Sequence, residues 1–513
     1  MNHSPDLEIK SAPRGFFPMF LTLGPGIVLA GGVVGSGELI NTPVQAATFG
    51  FVLLWAVIFS CLIKYFLQIE VARHCLVHDR TPFEAMNLIP GPKLFHTSWV
   101  VYLFMAAWTF AAIGAPGIVG AMAGVLQRVM PLNQWLGNPE GFDEVRSVQV
   151  WGIVLVVAVG LLLGKGVYSR LEKLIVVLVI GFSLTVVVAL VMLQGTDHRI
   201  TGSDIATGLW FSLGEPPADL PAKQDTQPAD KEPIAEEDSE QDLGTQTDHG
   251  VPRINAERYN RWKRAAAVAV IALMGGLGVT GLELLLYPHW VREKGYPRFL
   301  GPPASAGWED RAKGWVRMLK VDALVATLLA TVVTTAFFLL GAAILYRQGL
   351  KPEGIAVVDT ISATFTEVYG EWSRSVFLIG AMLTLLSTML AAPAANGRFF
   401  TDFFCSLGIV NRDHREQTRR STQIMQWVYL LSAGLLYLFM PQQPEKLVIL
   451  SHYVIGLAGT PIAILAICWM AFHTDRRLRM NKLTAVIFMV TVVVILACLG
   501  IGFAVQRGWI AAA

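Results

Sequence analysis

Long apolar stretches parted by short polar segments fill almost the whole chain. Eleven of them can cross roughly 30 Å of hydrocarbon as helices: 20–48, 50–76, 97–126, 148–165, 171–194, 265–289, 319–346, 374–405, 423–440, 446–472 and 483–505. A transmembrane barrel needs short, strictly alternating segments instead, so the pattern predicts an all-α membrane protein. The moderately apolar segment 352–369 reads as a short interfacial helix. Between the fifth and sixth spans the apolar pattern stops. From Glu215 to Asp248 eleven Asp or Glu stand against Lys223 and Lys231, with several prolines and almost no large apolar residue. Such a composition cannot bury enough surface to fold, which predicts a solvated loop. An antenna drawing cations toward a pore is the other reading.

The spans that open the two halves carry nearly the same glycine-rich string. One reads Gly31-Gly32-Val33-Val34-Gly35-Ser36-Gly37-Glu38-Leu39, the other Gly275-Gly276-Leu277-Gly278-Val279-Thr280-Gly281-Leu282-Glu283-Leu284. Glycine-interrupted helices at matching positions of two halves point to the midplane site of a secondary transporter built from inverted repeats. The chain then divides into a cytoplasmic segment 1–19, a first repeat of five spans over 20–194, an acidic extracytoplasmic loop 195–264, a second repeat over 265–472 and an eleventh span 483–505.

Composition agrees: 54% of the 513 residues are hydrophobic and 15% charged, with mean hydropathy +0.52, too apolar for a soluble chain of this size. With the N-terminus inside, Lys and Arg number 24 on inner segments and 15 on outer ones, 8 of the latter within 195–264. The positive-inside rule then places the N-terminus in the cytoplasm and the C-terminus outside, in a bacterial-type inner or plasma membrane. The basic loop 290–320 reads as an anchor against anionic lipid. No small-residue cleavage site interrupts the first apolar stretch, so no signal peptide is expected. Cys61, Cys75, Cys405, Cys468 and Cys498 show no metal-like spacing and read as buried free thiols. The net charge of +2 does not discriminate among partners.

Glu38 and Glu283 lead the candidates for chemistry, because a carboxylate deep in a span is costly and faces a cavity or a partner. Glycines around each suit local unwinding, tolerated at that depth where the backbone lines a cavity. Two carboxylates with backbone oxygens of Gly35 and of Thr280, Gly281 and Leu282, together with Ser36 and Thr280, make an all-oxygen set suited to hard cations. The competing reading neutralises the glutamates by protonation or by an ion pair with Lys64 of the second span. Glu70 reads as reaching the interface or Arg73. His289, in Tyr287-Pro288-His289-Trp290, is either a proton relay or a hydrogen-bonded structural residue; His452 reads as structural. Gly114, Gly117, Gly120 and Gly124 form a close-packing face with a kink at Pro116. Arg398 and Asp402 stand at i, i+4, the spacing of a helix-surface ion pair. An intramembrane serine protease of the rhomboid type needs Gly-x-Ser-Gly, but Val34 fills its first position. His-Glu-x-x-His and phosphate-loop motifs are absent too, so no enzyme is predicted.

With those residues in hand, the chain resembles the Nramp family of divalent-metal transporters. The resemblance rests on Leu23-Gly24-Pro25-Gly26-Ile27, on Ala46-Ala47-Thr48-Phe49-Gly50-Phe51-Val52-Leu53-Leu54-Trp55, on Leu67-Gln68 followed by Ala72-Arg73, and on Gly278 to His289 closing in Leu286-Tyr287-Pro288-His289. It implies a LeuT-type fold: two inverted five-helix repeats plus one extra helix, about 11 in all. The departures fall on the functional positions. Gly35-Ser36-Gly37-Glu38 stands where the family has Asp-Pro-Gly-Asn, and Leu282-Glu283-Leu284 where it has Met-Pro-His. Gly114 and Gly117 occupy the third-helix acidic positions linked to proton release, and Ala458 or Gly459 the tenth-helix Gln position. The scaffold is therefore carried over, whereas Mn²⁺/Fe²⁺ selectivity and proton coupling are not. The losses resemble those of Nramp-related magnesium transporters.

These readings predict a secondary transporter moving a divalent cation, Mg²⁺ or Mn²⁺-like, by alternating access. Glu38, Glu283, Gly35, Ser36, Thr280, Gly281 and Leu282 are the expected metal site, with Lys64 and His289 as proton or charge relay candidates. The metal is substrate, and no cofactor is expected. The partners expected are the cation and the lipid bilayer, with no nucleic acid and no obligatory protein. The alternative keeps the fold and moves a small organic solute such as an amino acid, with Lys64 as its fixed cation. A non-transporting sensor on the same scaffold is the third reading.

Overall fold

The computed structural model describes residues 9–15, 18–19, 35–164, 168–216, 256–440 and 443–510. The start of the first span, the Gly-Pro-Gly motif within it and residues 217–255 of the acidic loop lie outside the described residues.

Nine helical runs among the described residues are long and apolar enough to cross a membrane. The sequence reads eleven spans, and two local breaks account for the difference. The run Gly37–His78 holds two of the expected spans: a wide π turn Gly37–Asn41 leads into α1 (Thr42–Phe49), and α2 (Leu54–His78) follows. Between them the chain turns at Gly50, with φ +61° and ψ −140°, a conformation that favours glycine. The expected span 265–289 is interrupted. Its helix α7 (Ala256–Gly276) stops, and a 3₁₀ turn Glu283–Leu285 and the short helix α8 (Tyr287–Glu293) follow.

The third span is also divided, into α3 (Trp99–Ala111) and α4 (Gly114–Val129). Pro116 has no N–H to give the carbonyl four residues earlier, and the helix breaks there, at Ala112 and Ile113, rather than at the proline. The small-residue face of α4 does pack closely: a Cβ on Gly114 would press on Ser451 at 2.8 Å, and one on Gly117 on the Pro444 carbonyl at 2.6 Å. Next come α5 (Glu144–Gly164), α6 (Tyr168–Met192), α9 (Trp308–Leu340), α10 (Ser373–Ser406) and α11 (Arg415–Phe439). The tenth span is α12 (Pro444–Val454), a π turn Ile455–Gly459 and α13 (Thr460–Phe472); α14 (Lys482–Arg507) closes the chain. Short helices Val357–Ile361 and Ala363–Tyr369 occupy the region read as interfacial.

Helix α2 packs along α9, α7 lies against α12 and α14, and α4 packs on α12. The described start of the first span and the interrupted segment after α7 therefore meet inside the bundle, with α2 and α9 beside them. Of the five free thiols, Cys61 and Cys75 are buried, whereas Cys405, Cys468 and Cys498 are only partly so.

Candidate functional site

The first turn of the described part of the first span and the restart of the chain after α7 are held by the same local device. Glu38 Oε2 accepts from the N–H of Gly35 at 3.1 Å, three residues back. Glu283 Oε2 accepts from the N–H of Thr280 at 3.0 Å, also three residues back, while Thr280 Oγ1 accepts from the N–H of Glu283 at 3.2 Å. The second arrangement is a reciprocal capping box, which satisfies orphan N–H groups where a helix restarts. Between the end of α7 and this cap the chain reverses at Gly278, φ +63°. A side chain there would be strained, and its Cβ would stand 3.1 Å from the backbone of Cys61.

Glu38 also ties the first span to the break after α7. Its Oε1 lies 3.4 Å from the N–H of Gly278 and 3.4 Å from the Thr334 hydroxyl of α9. The residue is 1% exposed, so each of these donors matters to a group without water.

Lys64 takes a different place from the one expected. Its Nζ donates to the Leu277 carbonyl at 2.7 Å, just past the end of α7. Ser60, one turn earlier on α2, donates to the Leu273 carbonyl at 3.1 Å and lies 3.3 Å from that of Met274. Carbonyls freed by the break are thus met by side chains of α2, and an ammonium sits where the helix dipole is negative. Neither the Glu38–Lys64 nor the Glu283–Lys64 ion pair forms among the described residues, although Lys64 stays within electrostatic range of both. The other expected backbone ligands are likewise engaged: the carbonyls of Gly35, Thr280 and Leu282 accept from Leu39, Leu284 and Leu285.

A cavity of about 160 Å³ opens beside the second break, lined by Thr280, Leu282, Glu283, Trp108, Asn396, Tyr429 and His452 among others. Of the expected site residues it gathers Thr280, Leu282 and Glu283. Gly281 is packed with no room for a side chain against Thr460. Gly35, Ser36 and Glu38 lie buried behind the wall, and no group of three or more His, Cys, Asp or Glu is assembled around a metal position among the described residues. Asn396 accepts from the Trp108 indole at 2.5 Å and donates to the Ala392 carbonyl at 2.8 Å. The Asn41 amide donates to His452 Nδ1 at 3.1 Å, which puts the ring proton on Nε2 and makes this histidine a donor rather than a ligand. Glu283 is therefore the one anionic group on the cavity wall.

His289 lies elsewhere. Its Nε2 is 3.7 Å from Asp402, beside a second, larger cavity. The i, i+4 pair expected between Arg398 and Asp402 does not form. Arg398 reaches Glu293 at 2.5 Å and stacks over Trp290, while Asp402 accepts from Arg412 and from Thr81. Partners from other elements outcompete the local pair because they bring two donors to one buried carboxylate. Glu70 does meet Arg73, at 3.0 Å, with both side chains 3% exposed.

Sequence reasoning missed Thr334, Asn41, Tyr429 and Thr460. The signal available was a polar residue in an apolar span, and many such residues simply bond their own helix, as Thr331 does to Thr327.

The model of the family described as natural resistance-associated macrophage protein-like matches residues 242–505. Among solved structures, the chain is similar to the manganese transporter of Eremococcus coleocola. A Glu-to-Gln mutant of that protein aligns at TM-score 0.59 and 14% identity, over 98% of this chain and 91% of the other. A His-to-Ala mutant aligns at TM-score 0.55 with the same identity and coverage. No curated protein sequence matches the chain. The fold is the LeuT-type architecture that the sequence motifs imply.

Proposed function

Starting from the fact that this chain belongs to the Nramp family, we propose that it is an integral membrane transporter of a divalent metal cation, with Mg²⁺ the leading substrate and Mn²⁺ the next. One observation carries the reading: two carboxylates stand at the break after α7, Glu38 reaching it from the first span and Glu283 within its restart, and the one that faces a cavity, Glu283, has only oxygen and nitrogen groups and apolar carbon around it. No sulfur lines that cavity. A carboxylate with hydroxyl oxygens beside it and no thioether suits a hard, strongly hydrated cation that keeps part of its water.

Glu283 meets the ion first, with the Thr280 and Tyr429 hydroxyls beside it. Glu38 is the second carboxylate. Its long contacts to Gly278 and Thr334, both 3.4 Å, are the weakest it makes and the first to be exchanged for an ion. Exchange of that kind loosens the link between the first span and the break after α7, which is what alternating access about a fixed site requires. Gly114 and Gly117 carry no titratable group, which speaks against a proton route along α4. The N-terminus is taken as cytoplasmic and the C-terminus as extracytoplasmic.

The organic-solute reading is weaker. A cavity of about 160 Å³ falls below the several hundred Å³ typical of small-molecule sites, and Lys64 is committed to the Leu277 carbonyl. The deciding experiment is uptake into proteoliposomes of purified protein, comparing Mg²⁺, Mn²⁺ and Ca²⁺ with and without a pH gradient, for the parent, E283Q and E38Q. Saturable Mg²⁺ uptake lost in E283Q and reduced in E38Q is the expected result. No flux of any divalent ion overturns the reading and moves it to an organic solute.

A further inference from the structure

The second cavity, about 700 Å³, opens between the segment 287–300, α10 and the start of α11. Its wall is basic to an extent that cation passage does not explain. Arg292, Arg298, Arg398, Arg412, Arg415 and Arg419 line it, against three carboxylates, Asp79, Glu293 and Asp402. Those carboxylates are already taken: Asp79 by Arg292 at 3.2 Å, Glu293 by Arg398 at 2.5 Å, and Asp402 by Arg412. Arg298, Arg415 and Arg419 have no carboxylate within ion-pair distance among the described residues, and all three are exposed.

Three unneutralised guanidiniums in one concave site repel one another. Arg415 and Arg419 stand at i, i+4 on α11, a spacing at which like charges destabilise a helix. They also occupy its first turns, where the dipole is positive and favours an anion, not a cation. The rest of the wall supplies the amides of Gln423 and Gln426, which can donate, while the hydroxyls of Thr401, Thr418 and Thr422 are turned to neighbouring protein oxygens. His289 is the single aromatic ring among the lining residues, so little is present to stack on a base or hold an apolar body. Arginine forks beside two glutamine amides match the oxygens of phosphate groups, which arginine binds bidentately.

We propose that this cavity binds an anion carrying two or more phosphate groups, either free in solution or as the headgroup of an anionic lipid, held by Arg298, Arg415 and Arg419. The site stands apart from the solute question, because it rests on its own charge and shape. It also borders the transport machinery. Ala392, Ala395 and Asn396 of α10 line the smaller cavity, and Arg398, Thr401 and Asp402 of the same helix line this one. An anion bridging α10, α11 and the 287–300 segment restrains their relative movement.

The test uses the full chain, purified in neutral detergent and stripped of anionic lipid, titrated calorimetrically with sodium pyrophosphate at low ionic strength. In parallel, protein from cardiolipin-containing nanodiscs is examined for retained lipid by native mass spectrometry. The variant is R298Q/R415Q/R419Q, whose exposed side chains leave the fold intact, as checked by an unchanged Tm without ligand. R476Q, an exposed arginine away from the cavity, serves as the charge control. Saturable pyrophosphate binding, weakened roughly tenfold or more in the triple variant by loss of charge-assisted bonds and unaffected in R476Q, supports the site with a soluble ligand. Cardiolipin retention lost in the triple variant without pyrophosphate binding supports it with a lipid headgroup. Absence of both, or binding that the triple variant retains in full, overturns it.

Discussion

Lys64 Nζ donates to the Leu277 carbonyl at 2.7 Å, so an ammonium buried inside the bundle caps the helix whose interruption makes the candidate site. The lysine that looked like a counter-ion for the glutamates is a fastening for backbone. Removing it leaves the buried Leu277 carbonyl with only the Ser60 hydroxyl at 3.5 Å, too long to replace the lost bond, at a cost of about 1–3 kcal/mol. K64M should therefore lower the thermal stability of the detergent-solubilised protein while S60A, which leaves Lys64 in place, lowers it less. Equal stability of K64M and parent in a fluorescence-monitored melt would sink the capping role.

The break itself depends on Gly278. At φ +63° a Cβ costs about 1–2 kcal/mol in backbone strain, and here it also meets the Cys61 backbone. G278A should reduce stability and slow transport, whereas G181A, with open space around it, should do neither. Melting curves and proteoliposome uptake on the two variants check this.

Leu282 sits on the cavity wall two positions after Thr280, where a soft ligand would face the ion. Leu to Met conserves volume and is tolerated in packed cores, while a thioether favours softer metals. L282M should retain the fold and raise uptake of Cd²⁺ and Mn²⁺ relative to Mg²⁺. An unchanged selectivity ratio in competition uptake would mean that the ion does not reach this wall.

Glu70 and Arg73 form an ion pair with both side chains 3% exposed. Breaking a buried pair from one side strands the other charge and costs about 3–5 kcal/mol, whereas replacing both is close to neutral. E70Q should be markedly destabilised and E70Q/R73M should recover most of the loss, read as Tm in detergent. If the double variant is as unstable as the single one, the pair contributes by packing rather than by charge.

Much of this was legible along the chain because the signals are local. A run of apolar residues long enough for a bilayer dictates a helix, since backbone groups in hydrocarbon can be satisfied only within the segment. Gly278 and the Thr280-Gly281-Leu282-Glu283 run mark an interruption and its restart within ten residues, and the glutamates stand out because charge in an apolar span is rare. These features determine the membrane class, the break after α7 and the identity of the two carboxylates.

Which atoms those carboxylates face was decided only in three dimensions. Glu38 joins Gly278 and Thr334, Lys64 joins Leu277, and Asp402 leaves Arg398 for Arg412 and Thr81. The first three contacts cross more than two hundred residues, and the choice rests on which donors the packing of α2, α7 and α9 brings within 3.5 Å. The arginines of the larger cavity show the same division. Each is visible as a basic residue near a span end, but their convergence on one wall, with half of them left unpaired, exists only once the helices are packed, because electrostatic excess is a property of the shared space and not of any one segment.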